Sequence, residues 1–229
     1  VGIETADPRS AEIDLADGVA ALSGLERTRR TAAAAVVIGL AAAFVPVMVF
    51  MALAISIVLG AATLLALAPW RTALLQFGVG IAASIGGLLL NFPWFSSWSW
   101  EQLVGPPPIG DRGTGLADLA SFQIGTADFA YLSLALYLPV IAAIALGRAW
   151  RLTWAVRSGL LVVVFGAAAI LADSGSLPFN GPEAGVLLAP VAVGLAISSA
   201  AALAAFDLDV RGGSFGWRQP LGLLASVGV

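Results

Sequence analysis

Polar and apolar residues are segregated along this chain into blocks much longer than strands. Residues 1–30 are polar and acidic and end in Glu26-Arg27-Thr28-Arg29-Arg30. The next 39 residues, 31–69, carry no charged side chain. One straight helix of that length would be roughly 60 Å long at about 1.5 Å per residue, against a hydrocarbon core of roughly 30 Å. The pattern therefore predicts two spans, 31–48 and 51–69, with a turn near Pro46–Met51. Four more apolar blocks predict spans over about 72–92, 129–147, 158–172 and 184–206. A seventh opens at Pro220, a residue suited to the first turn of a helix, and is cut short at residue 229.

The expected fold class is all-α: a polytopic transmembrane helical bundle of about six spans plus a truncated seventh. Residues 1–30 form a polar segment expected in the cytoplasm, and 31–229 the transmembrane domain, with one long structured extracytoplasmic loop at about 93–128. The chain starts at Val1 and stops inside a new apolar run, so a fragment of a longer protein is expected.

Arginine placement tests this layout. With a cytoplasmic start, Arg9, Arg27, Arg29, Arg30, Arg71, Arg148, Arg151, Arg157, Arg211 and Arg218 fall on one side, and only Arg112 of the eleven falls on the other. That is the positive-inside asymmetry. Reading 31–69 as one span would destroy it. The expected location is the bacterial plasma membrane, crossed several times, with the N-terminus of this piece cytoplasmic.

Composition narrows the function classes. Hydrophobic residues make up 59% of the chain and charged residues 11%, where soluble domains carry about 25% charged residues. The chain has no Cys and no His, which removes thiolate chemistry and the commonest general base and metal ligand. No metal site and no cofactor are expected in this chain. A net charge of -3 without a single Lys argues against nucleic acid as a partner. As drawn, no span contains an ionisable residue, which argues against a coupled transporter. Polar residues within the spans, such as Thr63, Gln76, Tyr137 and Ser198, read as helix–helix hydrogen bonding, and the Gly78, Ala82, Gly86 and Gly194, Ser198 spacings as close-packing faces.

Candidate chemistry concentrates at both rims. NFPWFSSWSWEQLVGPPPIGDRG (91–113) places Trp94 and Trp98 beside Glu101, a stiff triple proline and the turn Asp111-Arg112. The plain reading is an aromatic belt at the headgroups with a self-contained Asp–Arg turn. The functional reading is an outer-loop binding site. There the tryptophans would form a platform, Glu101 and Asp111 a base or cation ligands, and Arg112 a phosphate partner. GLADLASFQIG (115–125) spaces Leu116, Leu119 and Phe122 for a short amphipathic helix capping the bundle. At the inner rim, Arg148, Arg151, Arg157 and Arg218, interleaved with tryptophans, suit topology anchoring or lipid headgroup contacts. Asp207-Leu208-Asp209 matches D-x-D, which works as a metal clamp on an extended segment; next to a span, simple solvation is the plainer reading.

Residues 147–159, GRAWRLTWAVRSG, and more so 187–219, LLAPVAVGLAISSAAALAAFDLDVRGGSFGWRQ, resemble the C-terminal membrane region of large actinobacterial family 2 glycosyltransferase-like proteins. The segment 115–125 fits the same region. The resemblance implies cell-envelope glycan assembly. The nucleotide-sugar site would lie in a cytoplasmic domain absent from this chain, so no catalytic residue is carried over. It implies a scaffold, or a domain binding a polyprenyl-linked or glycolipid acceptor in the lipid bilayer. Two alternatives stand beside it: a non-catalytic membrane anchor or assembly module binding a partner membrane protein, and a small-solute or lipid transporter.

Overall fold

A computed structural model of the chain describes residues 24–66, 69–105, 116–120, 122, 135–147, 150–176 and 181–210. Among these, every regular element is helical. The elements are α1 (Gly24–Phe44), α2 (Met48–Leu65), α3 (Trp70–Leu90), α4 (Trp100–Val104), α5 (Leu116–Ala120), α6 (Leu138–Leu146), α7 (Trp150–Asp173) and α8 (Ala184–Val210). Short 3-10 turns occupy Trp94–Ser97 and Ala135–Tyr137.

Four of these helices, α2, α3, α7 and the Ala184–Phe206 part of α8, are long and apolar enough to cross a membrane. The chain is a helical membrane protein. The hairpin expected within 31–69 is present, with its turn at Val45-Pro46-Val47 and α2 already begun at Met48. The first helix differs from the expected 31–48. It starts at Gly24, so its first two turns carry Glu26, Arg27, Arg29 and Arg30 and only its remainder is apolar. The block expected at 129–147 is described as the shorter apolar helix Ala135–Leu146. The seventh span, from Pro220, lies outside the described residues.

Contacts fix the directions. Ala35 and Gly39 of α1 meet Gly86 and Gly87 of α3, so these two helices run parallel. Ser56 and Thr63 of α2 meet Gly80 and Gln76 of α3, so α2 runs against them. Asn91, buried just past α3, donates to the carbonyls of Gly39 and Gly87, both at 2.9 Å, and ties the far ends of α1 and α3 together. Nothing in the periodicity of the chain points to Asn91; its role depends on the carbonyl of Gly39 on the neighbouring helix, far away in sequence.

α7 and α8 form the second half. Their packing is antiparallel and close, because Gly194 sits over the Ser158 carbonyl and Val162. Ser198 donates to Ser158 across this seam at 2.8 Å. Leu161, Val162, Phe165, Leu187, Val191 and Leu195 build the core with Val47 of the α1–α2 turn and Met51 and Val58 of α2. α6 closes the side, its Ala142, Ala143 and Leu146 seated against Ala155, Ala201 and Ala205. All six described arginines, Arg27, Arg29, Arg30, Arg71, Arg151 and Arg157, gather towards one end of the bundle. Glu101, Asp118, Asp173 and Glu183 lie towards the other. Among the described residues this agrees with the charge partition read from the sequence; Arg9, Arg112, Arg148, Arg211 and Arg218 lie outside them.

Candidate functional site

The acidic end is built by the first third of the predicted outer loop. Ser99 caps α4 through a capping box: it accepts from the Gln102 backbone N–H at 3.3 Å, and Gln102 Oε1 accepts from the Ser99 N–H at 2.9 Å. α4 stops at Gly105, whose φ of +119° is closed to side-chain-bearing residues. A Cβ there would overlap the Gly181 carbonyl, so the loop is pinned to Gly181-Pro182, just before α8, by backbone-on-backbone contact.

Three of the outer-loop candidate residues are described at this end. Trp94 is 73% exposed, Trp98 is half-buried and Glu101 is exposed. The neighbouring Trp100 is also turned outward, with one edge on Phe50 at 6.3 Å between ring centroids. Trp94 and Trp100 thus present their rings at the surface of this end. Asp111 and Arg112 lie outside the described residues.

The amphipathic helix expected over 115–125 is described over Leu116–Ala120, with Leu119 buried in the main core. The Tyr137 hydroxyl donates to the Ala120 carbonyl at 2.9 Å and holds this helix down. Below it lies an apolar cavity of about 450 Å³, between Leu119, Tyr137, Val163, Gly166, Ile170 and Leu188. Gly166 keeps it open: a Cβ there would meet no atom within 4 Å.

At the arginine end the structure corrects the sequence reading. α7 begins at Trp150 rather than 158, so the spans are not free of charge: this helix carries Arg151 and Arg157. Arg157, expected to contact headgroups, is buried, with 2% of its surface exposed. It lies seven residues into α7, roughly 10 Å along the helix axis. Its Nε donates to Thr63 Oγ1 at 3.2 Å, and its guanidinium stacks on the Trp154 ring at 5.1 Å. Thr63 in turn has two acceptors for its proton, the Leu59 carbonyl at 2.8 Å and Gln76 Oε1 at 2.7 Å. Thr63 stands in the last turn of α2, where the helix dipole presents partial negative charge. The cation is thus compensated by a helix C-terminus, a hydroxyl and an aromatic face, and it joins α7 to the α2–α3 pair.

Arg151 stays half-buried at the start of α7, with Nε and Nη1 shielded and given no partner among the described residues. Arg148 and Arg218 lie outside the described residues. Asp207 and Asp209 fall within the helical backbone of α8, not in an extended segment, which removes the geometry a D-x-D clamp needs.

A second hollow follows α1 and α3. It is an open groove of about 810 Å³, floored by Gly78, Ala82 and Gly86, with Arg27, Thr28 and Thr31 at one end. The small-residue face of α3 is therefore divided. Gly86 packs on Ala35 and Gly80 on Ser56, while a Cβ on Gly78 would touch nothing and Ala82 is exposed.

No family model, no curated protein and no solved structure matches the chain. Among the described residues no group of His, Cys, Asp or Glu is arranged to hold a metal ion.

Proposed function

We propose that the chain is the membrane domain of a glycosyltransferase-like protein of the bacterial cell envelope, and that it holds the lipid of a polyprenyl-linked or glycolipid acceptor in the plasma membrane. The glycosyltransferase part rests on the sequence resemblance of 147–159 and 187–219. The lipid part is supported by one observation: the apolar cavity beneath α5, lined there by Leu119 and Ala120 and bordered by Gly166, where a Cβ would meet open space. Its lining offers hydrocarbon contact and, from Tyr137, a hydroxyl already engaged with Ala120. It suits a lipid chain and offers nothing to a charged solute.

Crosslinking tests the reading. A photoreactive polyprenyl phosphate, added to the purified chain in lipid nanodiscs, should label peptides from α5 and α7. Gly166→Phe should fill the cavity and abolish that labelling while leaving the helical content intact. Labelling that survives Gly166→Phe would remove the support.

The exposed part of the α3 face, Gly78 and Ala82, favours a second reading, an assembly module that packs against a partner membrane protein. Co-purification of one stoichiometric partner, lost on Ala82→Leu, would select it; no partner would dismiss it.

A further inference from the structure

The groove between α1 and α3 is separate from the cavity under α5, on another side of the bundle, and its two ends differ in chemistry. We propose that it is a binding site for an anionic phospholipid of the arginine-side leaflet, with the headgroup at Arg27 and one acyl chain lying along Gly78 and Ala82.

Charge complementarity chooses the occupant. Arg27, Arg29 and Arg30 all lie in the first two turns of α1. Arg27 lines the groove itself. The threonines do not compete for the headgroup as donors. Thr28 gives its proton to the Gly24 carbonyl at 3.0 Å and Thr31 to the Arg27 carbonyl at 2.8 Å. Recognition therefore falls to charge, which separates an anionic lipid from a zwitterionic one. Because α1 and α3 run parallel, both present their positive dipole ends here, reinforcing the same preference. Basic pockets between membrane helices are a recurrent way of holding anionic headgroups.

The floor suits a chain. From Leu74 to Ala82 is eight residues of α3, about 12 Å, within the roughly 15 Å that one leaflet supplies as half of a hydrocarbon core. Over that length the absent side chain of Gly78 and the small one of Ala82 let methylenes lie against the helix. A polar partner chain would find no hydrogen-bonding group on that floor.

Native mass spectrometry of the full chain in detergent tests this, using phosphatidylglycerol and phosphatidylcholine with the same acyl chains. The wild type should retain phosphatidylglycerol preferentially. Arg27→Gln should weaken phosphatidylglycerol about fivefold, the factor one basic residue contributes near an anionic headgroup, and leave phosphatidylcholine unchanged. Ala82→Phe should weaken both by blocking the chain. Leu203→Phe, at an exposed position on α8, should change neither. Equal retention of the two lipids by the wild type, or an unchanged preference in Arg27→Gln, overturns the proposal. So does Ala82→Phe releasing a second copy or a partner helix while phosphatidylglycerol stays bound. Arg27→Gln sits at the start of α1 and reads the headgroup contact even where Ala82→Phe perturbs the fold.

Discussion

Arg157 and Thr63, ninety-four residues apart in sequence, meet at 3.2 Å in the interior of the bundle and couple α7 to the last turn of α2. A guanidinium at that depth is costly unless its surroundings answer its charge. Thr63→Val keeps the shape and removes the acceptor, so it should destabilise the protein by about 1–3 kcal/mol. Thr63→Ser should restore most of that. Arg157→Met combined with Thr63→Val should lie closer to wild type than Thr63→Val alone, because no buried cation is left unanswered. Unfolding in detergent, followed by helical circular dichroism, measures all three. If Thr63→Val matches wild type, the hydrogen bond carries no stability.

Glycine substitutions on α3 separate a packed face from an open one. At Gly80 a Cβ would overlap Ser56 across the α2 seam, and at Gly78 it would meet nothing within 4 Å. Gly80→Ala should cost about 1–3 kcal/mol through overpacking, whereas Gly78→Ala should be neutral or slightly stabilising by helix propensity. The same unfolding measurement decides, and equal effects at the two positions would contradict the packing described.

The contrast between these glycines shows how far the sequence could be read. Long charge-free blocks require helices because lipid leaves no other partner for the backbone, so the hairpin, the spans of α2, α3 and α8 and the single arginine-rich end were legible. Four-residue spacing announced a close-packing face on α3, but spacing does not say which side of a helix has a neighbour. Gly80 and Gly86 found partners, and Gly78 and Ala82 did not. The start of α7 was misplaced for a related reason. Arg157 looks like a boundary when the local window holds only Arg151, Trp154 and Arg157, and what permits its burial is Thr63, far away in sequence. At the outer rim, five aromatics and an acid in eleven residues announced an interface, yet no convergence, because a belt and a platform use the same residues. The cavity under α5 is lined by Leu119, Tyr137 and Gly166, which come from three separate parts of the chain, and no local pattern encodes that.

Gly105 holds the acidic end together. Its φ of +119° and its contact with the Gly181 carbonyl both exclude a side chain. Gly105→Ala should cost about 1–3 kcal/mol in backbone strain and release α4 from the 181–183 link. Limited proteolysis of nanodisc-embedded protein should then cut between 98 and 105 faster than in wild type. An unchanged cleavage rate would mean that the capping box of Ser99 and Gln102 fixes the segment without the glycine.

Orientation is the remaining physical consequence of the charge partition. Arginines hold their end on the side from which the chain is inserted, since moving them across is costly. The end bearing Thr28 and Arg71 should therefore face the cytoplasm and the end bearing Ser97 the exterior. The chain contains no cysteine, so single replacements report without background. Ser97→Cys, at an exposed position in the aromatic rim, should react with a membrane-impermeant maleimide on intact cells. Thr28→Cys, equally exposed at the opposite end, should react only after permeabilisation. The reverse pattern would place the cavity under α5 in the cytoplasmic leaflet and the α1–α3 groove in the outer one, exchanging the lipids available to each.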